Sequence, residues 1–193
     1  NPVCTAATTA GAVPDALGYH TAAEIPNYWA YARHFVLQDH MFEGVNGWSL
    51  PSHLDMVSGW SATCTEPTDP MSCTTNIRRP GHPIPDASGQ APYAWTDLTY
   101  LLDRAGISWR YFVQAGAQPD CTNPGDMICP PQWQSHATPD FWNPLPGFQT
   151  VHQDGQLNDI TSPNTYFQMA RRGRLPSVSW IVPNGRNSEH PPA

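Results

Sequence analysis

Proline stands at 22 positions in this chain of 193 residues, and that number fixes the grain of any fold the chain can adopt. A proline has no backbone N–H and a locked φ, so helices start at it or stop before it and central strands avoid it. Regular structure is therefore confined to short stretches, and the rest of the chain is loop. Eight tryptophans accompany the prolines, with rings that suit a core and a cleft equally well. The length supports one sizeable core, and nothing in the composition requires a second. A net charge of -7, with nine arginines and no lysine, provides no basic stripe for a nucleic-acid backbone and no polybasic patch for anionic lipid. Nucleic acid is not an expected partner. No apolar run approaches the roughly 20 residues that span a bilayer, so no transmembrane segment is expected.

The periodic stretches alternate in type. Thr21-Ala22-Ala23-Glu24 fits a capping box, and Ile25, Tyr28, Trp29 and Ala32 follow at helical spacing. Phe35 to Phe42 is a short apolar stretch that predicts a buried strand, with Asp39 and His40 delivered near its C-terminal end, where active sites of open α/β sheets lie. Leu98, Leu101, Leu102 and Ala105 predict one face of a helix stopped by Gly106, and Ile107 to Val113 predicts a strand. Ser162-Pro163 opens a helix that Gly173 ends, and Val178 to Val182 forms a further strand leading into Pro183-Asn184-Gly185. This alternation predicts a layered α/β fold, a mostly parallel sheet flanked by helices. A single domain is expected over 1–193, with loop or cap excursions at about 61–92 and 114–147; the second carries Trp133, His136 and Trp142.

Four of the five cysteines fall in two close pairs within those excursions, Cys64 with Cys73 and Cys121 with Cys129. Neither pair has the two-residue spacing of a zinc knuckle, so two local disulfides are favoured over a metal site. Each contributes about 2 to 3 kcal/mol on the chain-entropy argument and persists in an oxidising compartment, so a secreted or periplasmic location is expected. Cys4 is left over.

Gly47-Trp48-Ser49-Leu50-Pro51-Ser52-His53-Leu54 carries the most chemistry. Pro51 suits the first turn of a helix running to Gly59, which sets Ser49 just before that turn. Free N–H groups and the positive end of the helix dipole gather there and favour an anion. Ser49 is then either an N-cap or an oxygen nucleophile placed where a phosphate is stabilised. His53 lies four residues on, on the same helical face.

The order of motifs resembles a bacterial phosphoesterase family that contains secreted phospholipases C and an acid phosphatase, within the alkaline-phosphatase-like superfamily. The likeness rests on Ile25 to Ala32, Asp39-His40-Met41-Phe42, Gly47 to Gly59, Trp142-Asn143-Pro144-Leu145-Pro146, Leu175 to Trp180, and Ser188-Glu189-His190-Pro191-Pro192. It implies an alkaline-phosphatase-like fold and a metal-dependent phosphoesterase, with Ser49 as the nucleophile that forms a phospho-enzyme and lies against a divalent metal ion. It also implies that His190 binds phosphate or protonates the leaving alkoxide. His53 replaces an arginine found in many relatives; it would bind phosphate only when protonated, which predicts affinity increasing below about pH 6.5. The family's Glu-Asn and Trp-Asp-Asp motifs, which supply most metal ligands, do not occur here. The chain is therefore expected to be a fragment or one piece of a longer or processed protein, with another polypeptide completing the fold and a phosphate ester of a lipid or small molecule as substrate. Two alternatives stand beside this: a secreted, disulfide-stapled binding module, and a sulfatase or phosphoryl transferase of the same superfamily.

Overall fold

The computed structural model describes residues 19–84, 89–118, 120–121, 129–188 and 190, and the chain divides into two units, Asn1–Phe42 and Glu43–Ala193. In the first, the Glu24 carboxylate accepts from the Thr21 N–H at 2.7 Å and from its hydroxyl at 2.9 Å, closing a turn ahead of α1 (Pro26–His34). Pro26 occupies the first turn of α1, as its missing N–H favours. The strand expected over Phe35 to Phe42 does not form. An extended apolar run becomes a strand only where a neighbour takes its N–H and C=O groups. Among the described residues none does, and Val36, Leu37, Met41 and Phe42 lie exposed. Asp39 and His40 pair with each other at 3.0 Å, both open to solvent. Cys4 lies outside the described residues.

The second unit begins with α2 (Ser49–Ser58), which starts two residues earlier than Pro51 suggests and ends at Gly59, whose φ of 69° closes the left-handed cap. Leu50, Pro51, Leu54 and Val57 form its buried face. Strands β1 (Ala62–Cys64) and β2 (Cys73–Thr75) pair antiparallel with Cys64 opposite Cys73, and the disulfide joins them there. Replacing both cysteines by serine is expected to cost about 2 to 3 kcal/mol of unfolding free energy, measured by urea denaturation; a loss under about 0.5 kcal/mol would show that the hairpin is held without it.

Helix α3 (Leu98–Arg104) is capped by Asp97, whose Oδ1 accepts from the Thr99 N–H at 2.7 Å and the Tyr100 N–H at 3.3 Å. Of the expected apolar face, Leu102 packs against the core while Leu98 and Leu101 are exposed, and the fully buried residue is Thr99, drawn in by the cap. Strand β3 (Trp109–Val113) follows, then β4 (Gly116–Ala117) paired antiparallel with β5 (Trp133–Gln134), and the Cys121–Cys129 disulfide forms as expected. The last part of the expected second cap is core instead, since residues 141–148 are all buried. Helix α4 (Gln149–Gln153), β6 (Ile160–Thr161), α5 (Pro163–Arg171) and β7 (Val178–Val182) complete the unit.

The sheet has the order β6-β3-β7, and both pairings are parallel. Helix α5 connects its two outer strands and lays Tyr166 edge-on against Phe112 of β3, with ring centres 5.3 Å apart. The expected α/β class with a parallel sheet is what forms. Beside this sheet the core gathers Leu50, Leu54 and Val57 of α2 with Tyr93, Trp95, Phe141, Trp142 and Phe148. Tyr93, Trp95 and Phe148 meet one another with centres 4.9 to 5.3 Å apart, at tilted and edge-on angles that aromatic rings prefer.

Candidate functional site

Ser49 occupies the first turn of α2, and Trp48, not Ser49, holds the cap position. The serine hydroxyl makes no capping bond and is half-buried. The first N–H to close a helical bond is that of Ser52, which reaches the Trp48 carbonyl at 3.2 Å. The Ser49 and Leu50 amides have no hydrogen-bond partner among the described residues, and Pro51 has no N–H to offer. Two free donors and a free hydroxyl thus share one helix mouth, the arrangement that receives a phosphate oxygen.

The approach to that mouth is fixed. Trp48 donates its indole N–H to the Arg78 carbonyl at 3.1 Å and packs edge-on against Phe141 at 5.0 Å. Gly44 lies so close to Asp55 that an added Cβ would come within 1.9 Å of Oδ2, so a larger residue there requires the Asp55 side chain to turn away.

One turn along α2, His53 tilts against the Trp142 ring at 5.0 Å, and His190 meets the same indole at 6.1 Å. Asp120 joins the two elements. One of its oxygens is 2.9 Å from His190 Nε2, and the other accepts the Trp142 indole N–H. The Nδ1 atoms of both His53 and His190 are buried and have no hydrogen-bond partner among the described residues. His53, Asp120, Trp142 and His190 therefore form one cluster. His190 follows β7 and Asp120 follows β3, so both lie beyond the C-terminal ends of adjacent parallel strands. The side-chain amide of buried Gln134 staples those ends, donating at 2.9 Å to the carbonyls of both Gln114 and Pro183.

Burial pushes the His53 imidazole down to about 4, and the nearby Asp120 carboxylate and Trp142 backbone offset this only in part. Burial thus favours a neutral His53 at pH 6.5, whereas the sequence reading expected a phosphate ligand that gains its charge below that pH. A neutral buried histidine has a consequence for stability instead. Between about pH 6.5 and pH 4 the unfolded chain binds a proton that the folded chain refuses, so stability is full above that window and falls as the pH drops through it. The loss by pH 4 is about 3 kcal/mol, at roughly 1.4 kcal/mol per pH unit. Urea denaturation of the protein and of His53→Gln from pH 7 to pH 4 checks this, and equal slopes for the two would contradict it. A second pair lies close by. Burial lowers His82 and raises Asp140, each opposed by the charge of the other.

Among the described residues no group of three or more His, Cys, Asp or Glu side chains is placed to hold a metal ion. The residues present do not fit the divalent ion on their own, and Ser49 is the single ligand this chain was expected to lend. Asp120 escaped the sequence reading because it has no local pattern; its position beside Cys121 was the one available signal.

The profile of the Phosphoesterase family matches residues 5–193. The chain belongs to that family. It is 23% identical over 198 residues to "Phospholipase C B" of Mycobacterium tuberculosis, covering 94% of this chain and 31% of that protein. It is 29% identical over 175 residues to "Non-hemolytic phospholipase C" of Pseudomonas aeruginosa, covering 91% and 22%. A third relative, "Phospholipase C A" of Mycobacterium tuberculosis, is 27% identical over 188 residues, covering 96% and 32%. The family chain thus spans about a third or less of the length of these curated relatives. No solved structure matches it.

Proposed function

We propose that the protein is a phosphoesterase of the phospholipase C or phosphatase type, which hydrolyses a phosphate mono- or diester through Ser49. The observation that carries this reading is the free Ser49 hydroxyl beside the two unpaired amides at the mouth of α2, in a chain of the Phosphoesterase family. Ser49 Oγ forms a bond to phosphorus as the bond to the leaving oxygen breaks, and its proton passes to solvent at the half-exposed helix mouth. The α2 amides accept the charge that builds on the phosphoryl oxygens. His190 gives a proton from Nδ1 to the departing alkoxide. Water then attacks the phosphoserine, returning a proton to His190, and the serine oxygen regains one from solvent. His53 contributes a neutral ring behind Trp142.

The reading includes a divalent metal ion, whose ligands would have to come from outside the described residues, and an alkaline-phosphatase-like sheet larger than three strands. Disulfides at Cys64–Cys73 and Cys121–Cys129 favour an oxidising location, secreted or periplasmic. No helix of the described residues is long and apolar enough to cross a membrane. Assay of the full-length protein with p-nitrophenyl phosphate, bis(p-nitrophenyl) phosphate and p-nitrophenyl sulfate, with divalent metals added, tests the class. Turnover of a phosphate ester with little or none of the sulfate is expected. Preferential cleavage of the sulfate, or turnover of neither ester type by a folded protein, would overturn the reading.

A further inference from the structure

We infer that Asp120 is a positioning residue for His190, fixing which ring nitrogen of the histidine carries the exchangeable proton. The inference rests on the phosphoesterase reading above and extends it to a residue with no motif of its own.

Asp120 spends both carboxylate oxygens on the site. Oδ1 takes the His190 Nε2 proton at 2.9 Å, and Oδ2 takes the Trp142 indole proton. A carboxylate accepts and does not donate, so the contact fixes hydrogen on Nε2 and leaves Nδ1 as the nitrogen that gives and regains the exchangeable proton. That Nδ1 is the buried atom without a partner among the described residues. The second contact prevents the carboxylate from swinging away, because Trp142 is 9% exposed and its carbonyl is held at 3.1 Å by the Tyr111 hydroxyl in the core. The backbone is tied as well: Asp120 precedes Cys121, and the Cys129 Sγ across that disulfide lies 3.9 Å from the Asp120 carbonyl. Histidine, indole, carboxylate and disulfide thus form one brace at the C-terminal ends of β3 and β7. In the proposed reaction the N–H bond at His190 Nδ1 breaks as the leaving alkoxide gains its O–H bond. The Nε2–H bond to Asp120 persists throughout, and Asp120 exchanges no proton.

The test uses the full-length protein carrying Asp120→Asn in the native and His190→Ala backgrounds, assayed on an alkyl phosphate ester and on p-nitrophenyl phosphate. The alkyl leaving group needs a proton, while p-nitrophenolate leaves without one. Asp120→Asn is expected to lower kcat/KM on the alkyl ester by about 10- to 100-fold and to have much less effect on kcat/KM for the nitrophenyl ester, because kcat/KM reports phosphoryl transfer to Ser49 and not the hydrolysis of the phosphoserine that both esters share. In the His190→Ala background the same substitution should change the residual turnover by less than about twofold, and Asp120→Glu should recover part of the native rate. Equal losses on both esters, equal losses in both backgrounds, or no loss at all would overturn the inference. Should Asp120→Asn fail to fold, Asp120→Glu in the two backgrounds gives the same comparison, with a smaller loss expected. Full turnover by Ser49→Ala in a parallel assay would instead remove the phosphoesterase reading, so the two failures are distinguishable.

Discussion

Replacing Ser49 by alanine in the full-length protein should lower phosphoester turnover by at least about 10³-fold and leave unfolding free energy within about 0.5 kcal/mol. The two halves of this result have separate causes. Loss of the hydroxyl removes the atom that bonds to phosphorus; Leu50 and Pro51 in the same turn are apolar and buried, and the Ser52 hydroxyl is donated to the Trp48 carbonyl at 3.2 Å. Stability is spared because the Ser49 hydroxyl caps nothing; Trp48 has the cap position and Leu50, Leu54 and Val57 hold α2 to the core. A serine that was merely a helix cap would give the reverse pattern, a loss of about 1 kcal/mol with activity retained. Kinetics on p-nitrophenyl esters beside thermal melting of the same samples distinguishes the two.

The largest effect on stability is expected at Asp97, a residue far from that chemistry. Its side chain is fully buried and accepts from the Thr99 and Tyr100 amides at the start of α3, from the Thr99 hydroxyl and from the Thr150 hydroxyl of α4. Thr99 in turn lies 2.8 Å from the side-chain carbonyl of buried Gln156. Asp97→Ala removes the cap, worth about 1 kcal/mol, and strands buried donors at about 1 to 3 kcal/mol each. A loss of about 3 to 4 kcal/mol is expected by urea denaturation, corresponding to roughly 6 to 16 °C in Tm for a domain of this size. Asp97→Asn keeps the capping oxygen and the volume, and should cost about 1 kcal/mol. A loss under 1 kcal/mol for the alanine variant would mean that the network does not hold α3 to α4.

The elements legible in the sequence are those that carry their own pattern. Helix α2 has Pro51 and Gly59 as its punctuation, α5 has Pro163 and Gly173, and β3 and β7 are five-residue stretches with four apolar side chains each. Two-residue strands such as β4, β5 and β6 show no periodicity at all, so only the tertiary structure reveals them. The stretch Phe35 to Phe42 shows the opposite failure: its apolar residues imitate a buried strand, yet no neighbouring strand takes their backbone groups among the described residues. Helix α3 misled for a third reason. Leu98 and Leu101 have helical spacing, but the Asp97 cap and its hydrogen bonds turn Thr99 inward in their place.

At the candidate site, Ser49 and His53 were legible because α2 is a single local element with fixed spacing. That His53 is neutral was not, since it follows from burial against Trp142, nearly ninety residues away in sequence. Asp120 depends on three separated segments meeting: the loop after β4, the buried run of residues 141–148, and the loop after β7. No window of sequence contains that information.

The most direct test of the central claim is to look for the phosphoryl group itself. The full-length protein is mixed with a phosphate ester, quenched in acid during steady turnover, digested, and analysed by peptide mass spectrometry. The account predicts one phosphoryl group on the peptide carrying Ser49, assigned by fragmentation to that serine and absent from Ser49→Ala. Turnover with no phosphoryl group trapped on Ser49, or with the group on another residue, would contradict it.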